Sequence, residues 1–207
     1  MGRVPAGTRP HLPDYEPGPR ETAPGRQRQA GWRTVPVTLR DARDSFADRE
    51  WVRAVYRDYL SELSVSKSGL FPALGEWPER EQEFLAGWFA DPAAHPFVIL
   101  QDRERVGFAL VVRPRSQPMR DAEYRMAEFF VIASARRRGV GAGAAELLFS
   151  RFTGEWEIVE DQYNRPALGF WRRVITHQTN GRYAEIRSGG EVRHRFRSSG
   201  RPAAAPA

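Results

Sequence analysis

Residues 124–152 read YRMAEFFVIASARRRGVGAGAAELLFSRF, and this stretch decides the fold. Its opening part, around MAEFFVI, is apolar and aromatic apart from Arg125 and Glu128, which predicts a strand over 124–132 that stops at Ser134. From Gly139 the period changes: Val140, Ala144, Leu148, Phe149 and Phe152 recur at helical spacing and form one buried face. Between strand and helix lie Arg136, Arg137 and Arg138, followed by glycines at 139, 141 and 143. A turn without side chains lets backbone N–H groups approach an anion, and the first turn of a helix has N–H groups without intrahelical partners. The helix dipole and adjacent guanidinium groups add to the attraction, so a pyrophosphate is the natural ligand. The glycines also permit a second reading, close packing of the helix on the sheet.

A dinucleotide site is the rival. Gly139, Gly141 and Ala144 satisfy its G-x-G-x-x-G/A spacing, and Glu160 stands about 20 residues on, where a ribose-binding carboxylate belongs. Two features oppose it. The first glycine of that fingerprint follows its strand directly, whereas Ser134 to Arg138 intervene here. The chain after Gly141 is also short for a doubly wound sheet, and the helices before Gly139 do not alternate with strands.

Outward from this step, Trp32, Val35, Val37 and Leu39 predict a strand over 32–39. Asp44 or Ser45 caps a helix carrying Val52, Val55, Tyr56, Tyr59, Leu60 and Leu63 at intervals of three or four. A second helix over 79–90 presents Phe84, Leu85, Trp88 and Phe89 and ends at Asp91-Pro92. A hairpin follows, 96–101 and 106–112 around a polar turn. Beyond the glycines come a strand over 156–159, a short helix over 166–173, and two closing strands over 183–186 and 192–196. The order β-α-α-β-β-β-α-β-α-β-β describes an α/β chain with one mixed sheet and helices packed on it, with no repeat. The domain is expected over 32–197. Residues 1–31 hold six prolines among arginines and almost no apolar run, and 198–207 are similar, so both are expected to be unfolded tails.

The 207 residues carry a net charge of +6, almost wholly on arginine, since Lys67 is the only lysine. Such an excess suits a polyanionic ligand such as a nucleotide cofactor, a nucleic acid, or simply the base composition of the genome, and charge alone does not choose among them. Arg193, Arg195 and Arg197 alternate along one strand and read as a solvated face. With no cysteine there is no disulfide, thiol nucleophile or thiolate metal site. His11, His95, His177 and His194 have no metal-like spacing, so no metal is expected. The sequence has no apolar run long enough to span a bilayer and no secretory leader, which points to a cytoplasmic enzyme without a membrane partner.

Arg136, Gly139 and Gly141 resemble the (Arg or Gln)-x-x-Gly-x-(Gly or Ala) motif of the GCN5-related N-acetyltransferase family. Asn164, Ala167 and Phe170-Trp171 resemble that family's Asn-x-x-Ala-x-x-aromatic pattern, and the order of elements over 32–197 matches too. The resemblance implies a fold in which acetyl-CoA, or a related acyl-CoA, is the donor substrate. Its pantetheine arm would lie where the strands near Phe130, Val131 and Ile132 and near Glu157 to Val159 splay apart. Amides from Arg137 and Arg138 through Gly139, Val140, Gly141 and Ala142 would bind the pyrophosphate. Asn164 would contact the arm or orient its helix, although an asparagine before Pro166 also serves simply as a cap.

Acyl transfer from a thioester to an amine needs a neutral amine, a stabilised oxyanion and a tolerable leaving thiolate. Glu128, which interrupts an apolar strand, is the candidate base, and it occupies the strand position of the glutamate many family members use. A surface carboxylate paired with an arginine is its other reading. Glu160 and Asp161 are alternates. The family often places a tyrosine acid where this chain has Trp171, and indole cannot deliver a proton, so Tyr163, Tyr124 or water would take that role. Trp171 would then wall the core or the acceptor pocket. The preferred acceptor is a small-molecule amine, with a peptide amine possible. The basic tails keep open an aminoacyl-tRNA-dependent transferase or tRNA-binding module on the same fold, and a silent acyl-CoA-binding protein is a third reading. Trp51 and Trp77 suit a core or an interface, leaving monomer and homodimer both open.

Overall fold

The computed structural model describes residues 34–65, 78–114 and 122–200. The expected N-terminal tail, Trp32 and Trp77 lie outside the described residues. In chain order the elements are β1 (Thr38–Asp41), α1 (Phe46–Val65), α2 (Pro78–Ala90), β2 (Ala94–Gln101), β3 (Glu104–Val112) and β4 (Tyr124–Val131). They continue with α3 (Val140–Arg151), β5 (Gly154–Asp161), α4 (Arg165–Thr179), β6 (Ala184–Ser188) and β7 (Glu191–Ser198). The expected order is the observed one.

Boundaries differ for local reasons. Ser45, not Asp44, precedes α1 and its hydroxyl accepts from the Asp48 amide at 3.4 Å, while Asp44 closes a single 3-10 turn over Ala42–Asp44. The short helix expected over 166–173 runs on to Thr179, because Val174 and Ile175 extend its buried face. It stops where Asn180 and Gly181 turn left-handed, at φ 53° and 78°. β7 ends on Ser198, which is buried and bonds the Phe149 carbonyl, so the folded part reaches past the expected limit at 197.

The seven strands form one sheet in the order β1-β2-β3-β4-β5-β7-β6. Every pairing is antiparallel except β4 with β5. Helices cover both faces, giving two apolar layers. Under α3 and α4 lie Phe149, Trp156, Ile158, Trp171 and Phe196, with Met126 and Tyr124 from β4. Under α1 and α2 lie Val52, Tyr56, Leu60, Leu85, Phe108, Leu110 and Phe130, with Trp51 packed at the edge. Rings meet edge-on in the first layer, as Phe149 does with Trp156 and Phe196 at about 5 Å between centroids.

One ion cluster ties the first helix to the sheet. Asp48 of α1 is fully buried and accepts from Arg40 of β1 and Arg105 of β3, at 2.7 Å in the latter case. Removing the carboxylate leaves two guanidinium groups that are 44% and 33% exposed and regain some water, so the cost is about 1–2 kcal/mol, below that of a fully buried pair. Asp48→Ala is therefore expected to lower the urea midpoint markedly, whereas Glu50→Ala, which removes an exposed partner of Arg53, should leave it nearly unchanged.

Candidate active site

β4 and β5 pair over only three positions, Tyr124 with Trp156, Arg125 with Glu157 and Met126 with Ile158. Beyond these the strands part, so the wedge opens between Ala127–Val131 and Val159–Asp161, slightly later on β5 than the sequence had suggested. The parting coincides with a bulge. Leu110 of β3 faces Glu128, and Val111 faces Met126, which leaves Ala127 as an extra residue. In a regular strand, residues two apart share a face. Here the bulge reverses the parity: Met126 packs under α3 and α4, whereas Glu128 reaches Tyr59 of α1 on the opposite side.

Glu128 accepts a hydrogen bond from the Tyr59 hydroxyl, and Tyr56 bonds the same carboxylate. Burial among Phe108, Phe130 and the two tyrosines outweighs these bonds and the Arg125 charge, and pushes its pKa up to about 7. The surface ion pair allowed by the sequence is thus not what forms. Burial and the Glu128 charge raise the Tyr59 phenol well above its usual range, so it stays a neutral donor.

On the other side of the wedge, Glu160 of β5 is held by α4. Its Oε1 accepts from the Trp171 indole N–H at 2.9 Å and its Oε2 from the Asn164 amide at 3.3 Å. Burial, reinforced by Glu128 and Asp161, raises its pKa to about 7 despite these donors. Asn164 also caps α4, its Oδ1 accepting from the Ala167 amide at 3.3 Å, as the capping reading had it. Trp171 is buried and forms an aromatic triangle with Phe129 and Phe170, at 5.1 and 4.8 Å between centroids. Ala167 packs against the same layer.

At the mouth of the wedge stands the glycine-rich turn. Gly139 precedes α3 with φ 88°, no side chain caps the helix, and its first hydrogen bond runs from the Gly143 amide to Gly139. The amides of Val140, Gly141 and Ala142 are therefore left without helical acceptors. A side chain at Gly141 would meet the Phe170 ring at 3.2 Å, so glycine there serves a close approach as well as an open amide row. Arg137 is left-handed at φ 60°, and Arg137 and Arg138 are exposed. Arg136 behaves differently: it donates to the Val131 carbonyl at 2.6 Å and to Glu62 at 2.7 Å, and lies over the Phe130 ring. It fastens the end of β4 to α1.

The profile of the acetyltransferase (GNAT) family matches residues 52–175, more than half of the chain and all of the wedge. The chain belongs to that family. It is an acyl-CoA-dependent acetyltransferase. An acetyltransferase from Thermus thermophilus superposes with a TM-score of 0.58 at 16% identity, over 79% of this chain and 98% of the other. Spermidine N-acetyltransferase from Vibrio cholerae gives 0.55 at 11% identity, over 79% and 96%. PaiA N-acetyltransferase from Thermoplasma acidophilum gives 0.51 at 10%, over 79% and 99%. No curated protein matches the chain by sequence.

The remaining candidates of this acetyltransferase separate by position. Phe130 and Val131 lie on the parted stretch of β4, and Ile132 follows its end, its amide donating to the Val106 carbonyl at 3.0 Å. Tyr124 sits at the paired end with its hydroxyl against Arg113. Tyr163 is 65% exposed at the turn into α4, where Asp161 accepts from its amide. Arg193 and Arg195, read as a solvated face, instead bind the buried Glu157 at 2.7 and 3.1 Å, and Arg197 pairs with Glu155. Among the described residues no group of side chains could hold a metal, and no helix is long and apolar enough to cross a membrane.

Tyr59 is the residue that sequence reasoning passed over, as one more apolar position of α1. Its signal was the pair of phenols, Tyr56 and Tyr59, among aliphatic residues of one helix face, since a buried hydroxyl needs a partner. A carboxyl whose folded pKa is raised contributes its stability in full below its unfolded pKa, near 4.5, and that contribution declines above it and is lost as pH rises through about 7. Glu128→Gln should thus leave stability nearly unchanged at acid pH and raise it by up to about 3 kcal/mol at about pH 8. Thermal unfolding at both pH values would show it.

Proposed function

We propose that this acetyltransferase passes an acetyl group from acetyl-CoA directly to a primary amine held beside it, with Glu128 taking the amine proton. The part-buried carboxylate of Glu128 at the parting of β4 and β5, bonded by Tyr59 and with a pKa of about 7, carries the reading. Such a base is ionised often enough near neutrality to accept a proton and basic enough to hold it. Tyr59 holds it on the α1 side of the wedge. With no cysteine in the chain, a covalent thiol intermediate has no carrier, and holding the two substrates together supplies the rate.

The donor fits the surfaces available. The open amides of Val140, Gly141 and Ala142, with those of Arg137, Arg138 and Gly139 before them, suit the pyrophosphate, and the two exposed guanidinium groups add positive charge. The parted edge of β4 offers backbone partners to the pantetheine arm as far as Val131, whose carbonyl already accepts from Arg136, while the Ile132 amide beyond it is taken by the Val106 carbonyl. Arg136 holds that edge in place. Asn164, Ala167 and Trp171 form the facing wall on α4.

The acceptor enters on the α1 side, where Glu128 points. A small amine fits this reading, and the Vibrio cholerae neighbour, solved with CoA and spermine, makes polyamines the first acceptors to try. The tRNA alternative draws no support from the arginines of β7, since acidic partners neutralise them.

Acetyl-CoA is expected to raise the melting temperature and desulfo-CoA to do so comparably, because the nucleotide and arm supply the contacts. Gly141→Val should lower the affinity for both at least tenfold. Product masses from acetyl-CoA with spermidine, an amino sugar and a peptide N-terminus identify the acceptor class. Glu128→Gln should cost about 100-fold or more in kcat and flatten the rise of rate through neutral pH. An unshifted melting temperature with either coenzyme, or an unchanged pH profile for Glu128→Gln, would overturn the donor site or the base respectively.

A further inference from the structure

Two carboxyl groups, not one, border the wedge. Glu128 projects from β4 toward α1, and Glu160 projects from β5 toward α4. They stand on opposite faces of the sheet, yet they act on each other, because no ladder hydrogen bonds close the sheet between them. The groups around Glu160 are Trp171 and Asn164 of α4, Asp161 of its own strand, Glu128 of β4 and Tyr59 of α1. None of these is a cation.

On the basis of the acyl-transfer reading above, we propose that Glu160 is a second catalytic residue, the carboxylic acid that protonates the sulfur of the departing coenzyme. The indole at 171 cannot give up a proton at useful pH, but it donates to a group that can. Tyr124 is locked in the core by Arg113, and Tyr163 faces solvent. Glu160, part-buried between β5 and α4, is the acid left on that side of the wedge.

The step balances without a further reagent. The amine nitrogen bonds to the thioester carbonyl carbon and loses a proton to the Glu128 carboxylate. The carbon–sulfur bond breaks, its electron pair stays on sulfur, and sulfur takes the proton of Glu160. The pair begins with one proton, on Glu160, and ends with one proton, on Glu128. Its charge never changes, which suits a site where a second negative charge is costly. A proton passing from Glu128 to Glu160 through water restores the starting state. Both groups titrating near 7 lets either one hold that proton at neutral pH.

The test needs no knowledge of the acceptor, since water serves as a slow one and thiol release from acetyl-CoA reports the step. Glu160→Gln is expected to bind acetyl-CoA within threefold of the wild type and to release thiol about 100-fold more slowly. The fall of rate on the alkaline side, where the acid loses its proton, should vanish. Trp171→Phe deletes a donor that favours the charged form of Glu160, so it should move that alkaline fall to higher pH. Release within threefold of wild type in Glu160→Gln, or an alkaline fall that survives in it, overturns the assignment. If Glu160→Gln fails to fold, an unmoved alkaline fall in Trp171→Phe does so. Failure of the wild type to bind acetyl-CoA would instead remove the acyltransferase reading on which this one rests.

Discussion

Three residue pairs hold β4 to β5, and what lies past the third defines this molecule. A parallel ladder broken midway exposes backbone groups that a sheet normally satisfies, and burying such groups without partners costs free energy. Such an opening persists where a ligand supplies the missing partners or where flanking elements hold the strands apart. Here both faces are held. Arg136 pins the end of β4 to α1, and the Phe129–Phe170–Trp171 triangle wedges the other face against α4. The bulge at Ala127 supplies the geometry in between, by changing which side chains of β4 face which layer.

That change of parity explains why the fold was more legible than the site. Periodicity gave the order of elements, because Val140, Leu148 and Phe149 on α3 or Val52, Tyr56 and Leu60 on α1 repeat at helical spacing and do pack inward. The glycine step was equally plain, since its chemistry is local to one turn. Glu128 stood out as a charge in an apolar strand, but its direction depends on an extra residue that alternation cannot locate. Tyr59 and Glu160 were harder still. Their roles arise from contacts across 69 positions of sequence in one case and from the following helix in the other.

Helix and strand ends were misjudged where tertiary packing overrode composition. α4 looked finished near Arg173 because His177, Gln178 and Thr179 are polar, yet Gln178 and Thr179 are buried and the helix ends only at a left-handed asparagine. The arginines of β7 looked solvated because they alternate, but Glu157 on the neighbouring strand is fully buried and requires them. The charge of a side chain tells less about its surroundings than the charge of its cross-strand neighbour.

These pairings also bear on how the site can stay costly. Glu157 and Asp48 are buried acids with two arginines each, so their charges are compensated where they stand. Glu128 and Glu160 are part-buried acids whose hydrogen bonds come from neutral donors, so each resists ionisation. The same chain thus treats carboxylates in two ways, and the difference follows position. At the joins between sheet and helix or between strands, arginine fixes the charge and strengthens the frame. In the wedge, phenol, indole and amide fix only the geometry, leaving the proton free to move. A lysine or arginine placed against either wedge carboxylate would stabilise the fold and hold the group ionised, and a carboxylate held ionised by a cation makes a weaker base and no acid at all.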